Sequence, residues 1–562
     1  MKNDRECANY TFKCNLLVRI KMFSMKLSLL DVGRYIFHFF HIISTIADPK
    51  VFVKTILALA FVIFDGKVHA QQKRDLYRVS VDLLHIKNEQ INISFSPPKN
   101  NLDKGVFILP KVITGYYGAM DFGQYVSEVQ AFDADGSIKP IRRIDVNSWL
   151  IEDLKNVIKV NYKVSPSWKS MTERTSGAKS AGSHFIKDSV FVINYNSIIG
   201  YFEEFSGAAY YVEVIKNKGF YASSALSYHK KNDSTDFVRT KSYRHLVDAP
   251  VVYCIPDTTS IRLGGTEVLV SFYSKNSRTY SPVLAAKLKG ILNNQKAYLG
   301  GKLPVSKYAF LIYHENFPGS GLIGDGLEHN QSTLCLYASH SLENLPKALE
   351  VVASHEFFHI LTPLNIHSKE IQHFDFLKPK LSRHLWLYEG MTEYATIHMP
   401  VKQRMISLEE FCKVVEEKIK NMRAFDNSLP LTEMSSKAIQ RQDQYMNFYQ
   451  KGALVSLCLD LHLRQLSNGK SGTQDLMDKL AKRYGPGAAF EDDKLFDVIT
   501  AMTFEQVRSF FHQFVEGGEE LPLKTYLGFA GIDFDAENGR VTPRKNPTAK
   551  QLSLRKSWLN QW

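Results

Sequence analysis

The sequence predicts a multidomain α+β protein, with a β-rich antiparallel N-terminal domain followed by a mainly helical domain. Two patterns carry this. Apolar and polar residues alternate in short runs from Tyr77 to Phe272, and after about residue 280 apolar residues recur at helical spacing. Length agrees, since 562 residues at roughly 150 per domain suggest about three or four units. The 44% hydrophobic and 23% charged content is globular and excludes a disordered or collagen-like chain. Net charge is +13, but residues 1–70 hold ten bases against five acids, leaving a modest +8 for the rest. Without a basic stripe carrying interleaved aromatics, nucleic acid is not an expected partner.

The first seventy residues read as processing segments. Lys50 and Lys54 form a positive start, Thr55 to Phe64 an apolar run of ten, and Val68-His69-Ala70 a small-x-small cleavage site. Ten apolar residues fall short of the about 20 that span a bilayer. Residues 50–70 are therefore expected to be a signal peptide, the mature protein to begin at Gln71 without a stable membrane span, and its location to be periplasmic or secreted. Residues 1–49 then read as a non-mature leader or an over-extended start; the alternative is a leader that tethers the protein to a membrane.

Residues 71–275 form the expected β-rich domain. Tyr77, Val79, Val81 and Leu83 alternate with polar neighbours, as do Ile91, Ile93 and Phe95. Further strand signals are Tyr125 to Phe132, closed by the turn Asp133-Ala134-Asp135-Gly136, then Val160 to Val164, Tyr210 to Ile215 and Thr266 to Phe272. Ser170 to Ser183 reads as an exposed loop and Ser274 to Arg278 as a linker. In the helical domain, expected over 276–535, Ser407 and Glu410 form a capping box before Leu408, Phe411, Val415, Ile419 and Met422 on one face. Phe504 to Val515 also reads as a helix. Residues 536–562 read as a basic tail, with six bases and no acid from Arg540 onward. Cys254, Cys335, Cys412 and Cys458 lie far apart without a metal-ligand spacing and are expected to be buried thiols.

The chemistry begins at His355-Glu356-Phe357-Phe358-His359. Pro346, preceded by Asn344 as a cap candidate, starts a predicted helix, and Pro363 limits its end. On a helix two histidines four apart project from one face and can grip one zinc ion, with Glu356 beside them as general base rather than ligand. A metzincin would need Gly at 362 and His at 365, where this chain has Thr362 and Asn365. The other option for a third ligand is Glu389, a carboxylate in the apolar and aromatic stretch Leu385 to Tyr394, where burial is costly unless a metal or partner compensates. Glu370 and Asp375 lie in an expected connecting loop, and His367, His373 and His384 are expected to make local hydrogen bonds. Glu393, one turn after Glu389, is expected to support a ligand or to face solvent.

HEFFH, with LWLYEGMTEY placing Glu389 thirty positions after His359, resembles the glycyl aminopeptidase family of the gluzincin zinc peptidases, distant relatives of the alanyl aminopeptidases. The resemblance covers about Tyr77 to Phe534 and is most specific from Gly324 to Gly452. It implies a thermolysin-like catalytic domain, one zinc ion on His355, His359 and Glu389, and Glu356 as catalytic base. Gly326-Leu327-Glu328-His329 resembles the cleft-lining Gly-x-x-Glu segment, with the glutamate two rather than three residues after Gly326. It implies that Glu328 holds the free α-amine of a peptide, the fixed anion by which an exopeptidase registers its substrate. Tyr449-Gln450-Lys451-Gly452-Ala453 resembles a YxKGA block whose tyrosine hydrogen-bonds the oxyanion; Tyr445 is a nearby rival. Many members carry a C-terminal PDZ-like domain, for which nothing after about residue 535 provides material. The expectation is an exported zinc aminopeptidase acting on peptides with a free N-terminus, with Gly or Ala preferred by resemblance alone. The rivals are an endopeptidase using the same zinc chemistry and an inactive zinc-binding protein on a peptidase fold.

Overall fold

The structure is a computed structural model and describes residues 76–560 except 171–178, 276, 278 and 317–322. The expected leader (1–49) and signal peptide (50–70) lie outside the described residues, as do parts of the expected loop 170–183 and linker 274–278. Leu76–Lys87 and Gln90–Ser96 form a hairpin, and its connecting residues Asn88 and Glu89 have φ of 51° and 60°, the positive values a tight two-residue turn requires. Tyr77, Val79, Val81 and Leu83 are buried on the inner face while Arg78 points outward, as their alternation predicts.

The hairpin lies within an eight-stranded sheet completed by Ala209–Ile215, Thr235–Thr240 and His229–Asn232 on one side, and by Lys159–Val164, Val126–Phe132 and Ile138–Lys139 on the other. The sequence leads to the expectation of an antiparallel domain, but this sheet is mixed: Leu76–Lys87 runs parallel to Ala209–Ile215. Parallel neighbours need a long connection, and here the chain between them builds most of the other N-terminal strands. Two four-stranded antiparallel sheets complete this half.

The helix Ser281–Tyr298 begins where helical spacing is expected, but three strands follow it before helices take over. Thr258–Leu263, Thr266–Ser274, Lys307–Asn316, Ser332–Ser339 and Ile323–His329 form a mixed sheet in that order. Its central pairs are parallel and its edge pairs antiparallel. A border at 275 falls inside this sheet, between Thr266–Ser274 and its partner Lys307–Asn316. On one face Tyr308, Phe310 and Ile312 pack with the helices Ser281–Tyr298 and Leu345–Phe358; on the other Ala309, Leu311 and Tyr313 meet Val190, Val192 and Val252 of the N-terminal half. Strands covered on both faces carry no alternation, which hides them from a periodicity reading.

Ser407 and Glu410 form both halves of the expected capping box before the helix Leu408–Met422, and the second expected helix is Gln506–Phe514. The stretch 536–562 is not a free tail. Arg540–Pro543 pairs with Ile532–Asp535, and the helix Ala549–Leu559 buries Leu554, Trp558 and Leu559, with Trp558 Nε1 donating to Tyr394 Oη at 2.9 Å. Charge shows only the outward side of that segment. Cys254, Cys335, Cys412 and Cys458 are free and buried. Among the described residues no helix is long and apolar enough to cross a membrane.

Candidate metal centre

The helix Leu345–Phe358 starts with Pro346 in its first turn and ends where His359 occupies the C-cap, so His355 and His359 leave it one turn apart. Asn344 precedes it without a side-chain capping bond. Each histidine has its Nδ1 engaged, His355 with Glu393 Oε2 at 2.8 Å and His359 with the Thr362 carbonyl at 3.0 Å. Both Nε2 atoms therefore face Glu389, whose Oε2 lies 3.3 Å from that of His355 and 3.7 Å from that of His359. Ligands about 2.0–2.1 Å from a tetrahedral ion stand roughly 3.3 Å apart, so this triangle fits a zinc-sized cation. Engaging the far nitrogen in this way is also how metal-binding imidazoles are oriented.

Glu389 is not on an ordinary α-helix. It lies in a π-turn, Trp386–Met391, that leads into the helix Thr392–Lys402, and Tyr449 lies in a second π-turn, Phe448–Gly452, that leads into Ala453–Leu466. Such turns are rare and concentrate at functional sites. The two cross at a glycine pair: a Cβ on Gly390 would come within 2.6 Å of the Gly452 backbone, so a side chain there would push the turns apart.

Glu389 is 2% and Glu356 9% exposed, and Glu356 Oε2 has no hydrogen-bond partner. A buried, unpartnered carboxylate oxygen beside three convergent donors is what a metal site with an adjacent base leaves. Burial pushes the Glu356 carboxyl up to about 8, with His355 pulling it down and Glu389 pushing it further up. Two positive charges at the histidine pair would oppose that push. Burial pulls His359 down to about 4, which keeps it neutral as a ligand must be. Burial disfavours charge on Glu389, yet His359 and His355 hold its carboxyl below the ordinary value.

Glu328 lies on Ile323–His329, the edge strand of the mixed sheet. Glu328, Glu356 and His359 each offer a donor atom within 4.8 Å of the others, as His355, His359 and Glu389 do. Burial, then Glu389 and Glu356, push the Glu328 carboxyl well above its ordinary value, so a cationic group entering here relieves repulsion. Gly326 lies against Glu356, where a Cβ would come within 3.1 Å of Oε1. The Tyr449 ring is 5.2 Å from that of His355. The Tyr445 hydroxyl donates to the Gly115 carbonyl at 3.0 Å.

All seven sequence-selected residues thus gather in one region. The others do not join the donor set. Glu370 pairs with Lys380 at 2.9 Å, Asp375 Oδ1 accepts from two backbone amides, His373 is exposed, and His384 bonds the Asp492 carbonyl at 2.7 Å and Trp386 Nε1. His367 is buried outside the donor groups.

Three contributors escape the sequence. Gly115, in the N-terminal half, leaves room for Glu328, since a Cβ there would come within 2.9 Å of Glu328 Oε1; the glycine-aromatic run Gly115-Tyr116-Tyr117-Gly118 is its only signal. Lys451 donates to the carbonyls of Asn427 and Leu429, tying the second π-turn to that loop. Lys418, on the capping-box helix, donates to Glu393 Oε1 at 2.5 Å while Oε2 holds His355. Burial disfavours the charge, but His355 and Lys418 hold the Glu393 carboxyl down at about 2. Glu393→Gln is therefore expected to weaken zinc binding by about 10–100-fold, read by competition with a chromogenic chelator. Unchanged affinity would reduce Glu393 to a packing role.

Residues 78–255 match the family model described as the peptidase M61 N-terminal domain, and residues 348–455 that described as M61 glycyl aminopeptidase. Among solved structures, an aminopeptidase N family protein from Idiomarina loihiensis has 20% identity over 81% of this chain and 78% of its own, with a TM-score of 0.70. An M1 zinc metallopeptidase from Deinococcus radiodurans has 12% identity over 80% of this chain and 95% of its own, with a TM-score of 0.49. No curated protein matches the chain. At such identity the first likeness is one of fold.

Proposed function

This chain belongs to the M61 glycyl aminopeptidase family, and from that premise we propose that it is an exported zinc aminopeptidase with a thermolysin-like catalytic domain. The observation that carries the reading is the convergence of His355, His359 and Glu389 beside an unpartnered Glu356, with Glu328 on the adjoining edge strand. His355, His359 and Glu389 would hold the zinc ion, which when bound would supply Lewis acidity toward the scissile carbonyl and the attacking water. Glu356 takes the proton of the attacking water and returns it to the leaving amine. Tyr449 donates its phenol to the developing oxyanion. Glu328 accepts the α-ammonium of the peptide, so that only a terminal residue sits in register. Preference for an N-terminal Gly or Ala rests on the family, as export rests on the signal-like segment 50–70.

Peptides with a free N-terminus and their N-acetylated copies test this. The free peptide is expected to be cleaved at its first bond and the acetylated one to remain intact. Glu328→Gln is expected to lower kcat/KM by about 10–100-fold, mainly through KM, the size of one lost charge-assisted hydrogen bond. Internal cleavage of acetylated peptides would make the protein an endopeptidase, and zinc binding without any turnover would make it a binding protein.

A further inference from the structure

We propose that the cavity bounded by the helices Thr392–Lys402 and Ala453–Leu466 binds a small carboxylate with an apolar body, the anionic group pairing with Lys402. The cavity measures about 760 Å³, within the range of small-molecule sites, and none of the seven residues of the metal centre lines it. Its walls are largely apolar, including Leu299, Leu303, Phe358, Leu361, Met391 and Met477.

The polar groups set into those walls are undersupplied with partners. Lys402 is only 9% exposed, and its ammonium, which has three donors, reaches the Trp558 carbonyl at 3.2 Å. Among the described residues no carboxylate lies within 4.0 Å of it. The neighbouring cation, Arg464, is already paired with Asp460 at 3.1 Å. Thr392 lines the same cavity with a buried Oγ1 that has no partner. Burial, then the charge of Arg464, pull Lys402 down to about 8, against a weaker upward pull from the more distant Asp460 and Asp475. At the rim stand Lys302, Lys470, Asp475 and Asp478, the last of these paired with Lys482 at 2.5 Å.

A single buried cation with no carboxylate within 4.0 Å suits a singly charged carboxylate; a phosphate would leave charge and acceptors unmet. The apolar walls call for a hydrocarbon body. The occupant would touch Phe358 and Thr362, which flank and bond His359, and Met391 and Thr392, which follow Glu389. The site stands on this cavity alone and is independent of the peptidase reading.

Calorimetric titration of the zinc-loaded protein with octanoate and with its neutral analogue octanamide tests the proposal. Octanoate is expected to bind at least tenfold more tightly, and Lys402→Met to abolish the difference. Leu303→Trp, which fills the cavity from its wall, is expected to abolish binding of both and serves if the lysine variant does not fold. Equal binding of the two probes to the unaltered protein would overturn the proposal. A preference for octanoate that survives in Lys402→Met would also overturn it, by placing the carboxylate elsewhere.

Discussion

Glu356→Gln is expected to lower kcat by about 10²–10⁴-fold while zinc remains bound, the range a positioned acid–base group supplies. The amide keeps the shape of the carboxylate but takes no proton at neutral pH. The side chain stands outside the triangle formed by the two Nε2 atoms and Glu389, so ligation should survive. The substitution also removes one of three mutually repelling carboxyls, since Glu356 and Glu389 both push Glu328 upward. Metal-free protein should lose no stability, because the carboxylate oxygen being replaced is buried without a partner. Metal content by mass spectrometry and turnover of an aminoacyl anilide check both halves. Activity within tenfold of the unaltered enzyme would place the base elsewhere. Loss of zinc would instead make Glu356 a ligand, a role open to it because Glu328, Glu356 and His359 also form a donor group.

What the sequence discloses of this site follows from the range of the forces involved. The two histidines and Glu356 share one helix, so spacing alone places them. Glu389 was identifiable as a carboxylate in an apolar stretch, though not as part of a π-turn, because one extra residue in a turn scarcely alters hydrophobic periodicity. Glu328 is invisible without a family: its strand lies at the edge of a sheet whose central members are covered on both faces and show no alternation. Lys418 reaches Glu393 only through tertiary packing, which leaves no local mark. The same reason hides the parallel pairing of the first strand and the inward side of the C-terminal helix. Half-exposed strands such as Leu76–Lys87 were legible because each side chain reports its own face.

Tyr449→Phe should lower kcat by about 10²–10³-fold, as loss of one oxyanion donor does, with KM and zinc affinity little changed. The variant removes a hydroxyl and leaves the ring, which packs 5.2 Å from that of His355. Burial and the charge of Glu389 hold the phenol well above its ordinary pKa, so it remains a neutral donor throughout the working pH range. A neutral donor gains most where negative charge develops in the transition state, which is why the loss belongs in kcat. Tyr445→Phe provides the control within the same aromatic pair, whose rings lie 6.3 Å apart. Its hydroxyl is committed to the Gly115 carbonyl, so removing it should loosen the contact with the N-terminal half and affect KM more than kcat. A larger fall in kcat for Tyr445→Phe than for Tyr449→Phe would exchange their roles. The crossing of Gly390 and Gly452 gives the physical reason to expect otherwise, because it fixes the turn bearing Tyr449 directly against the turn bearing Glu389.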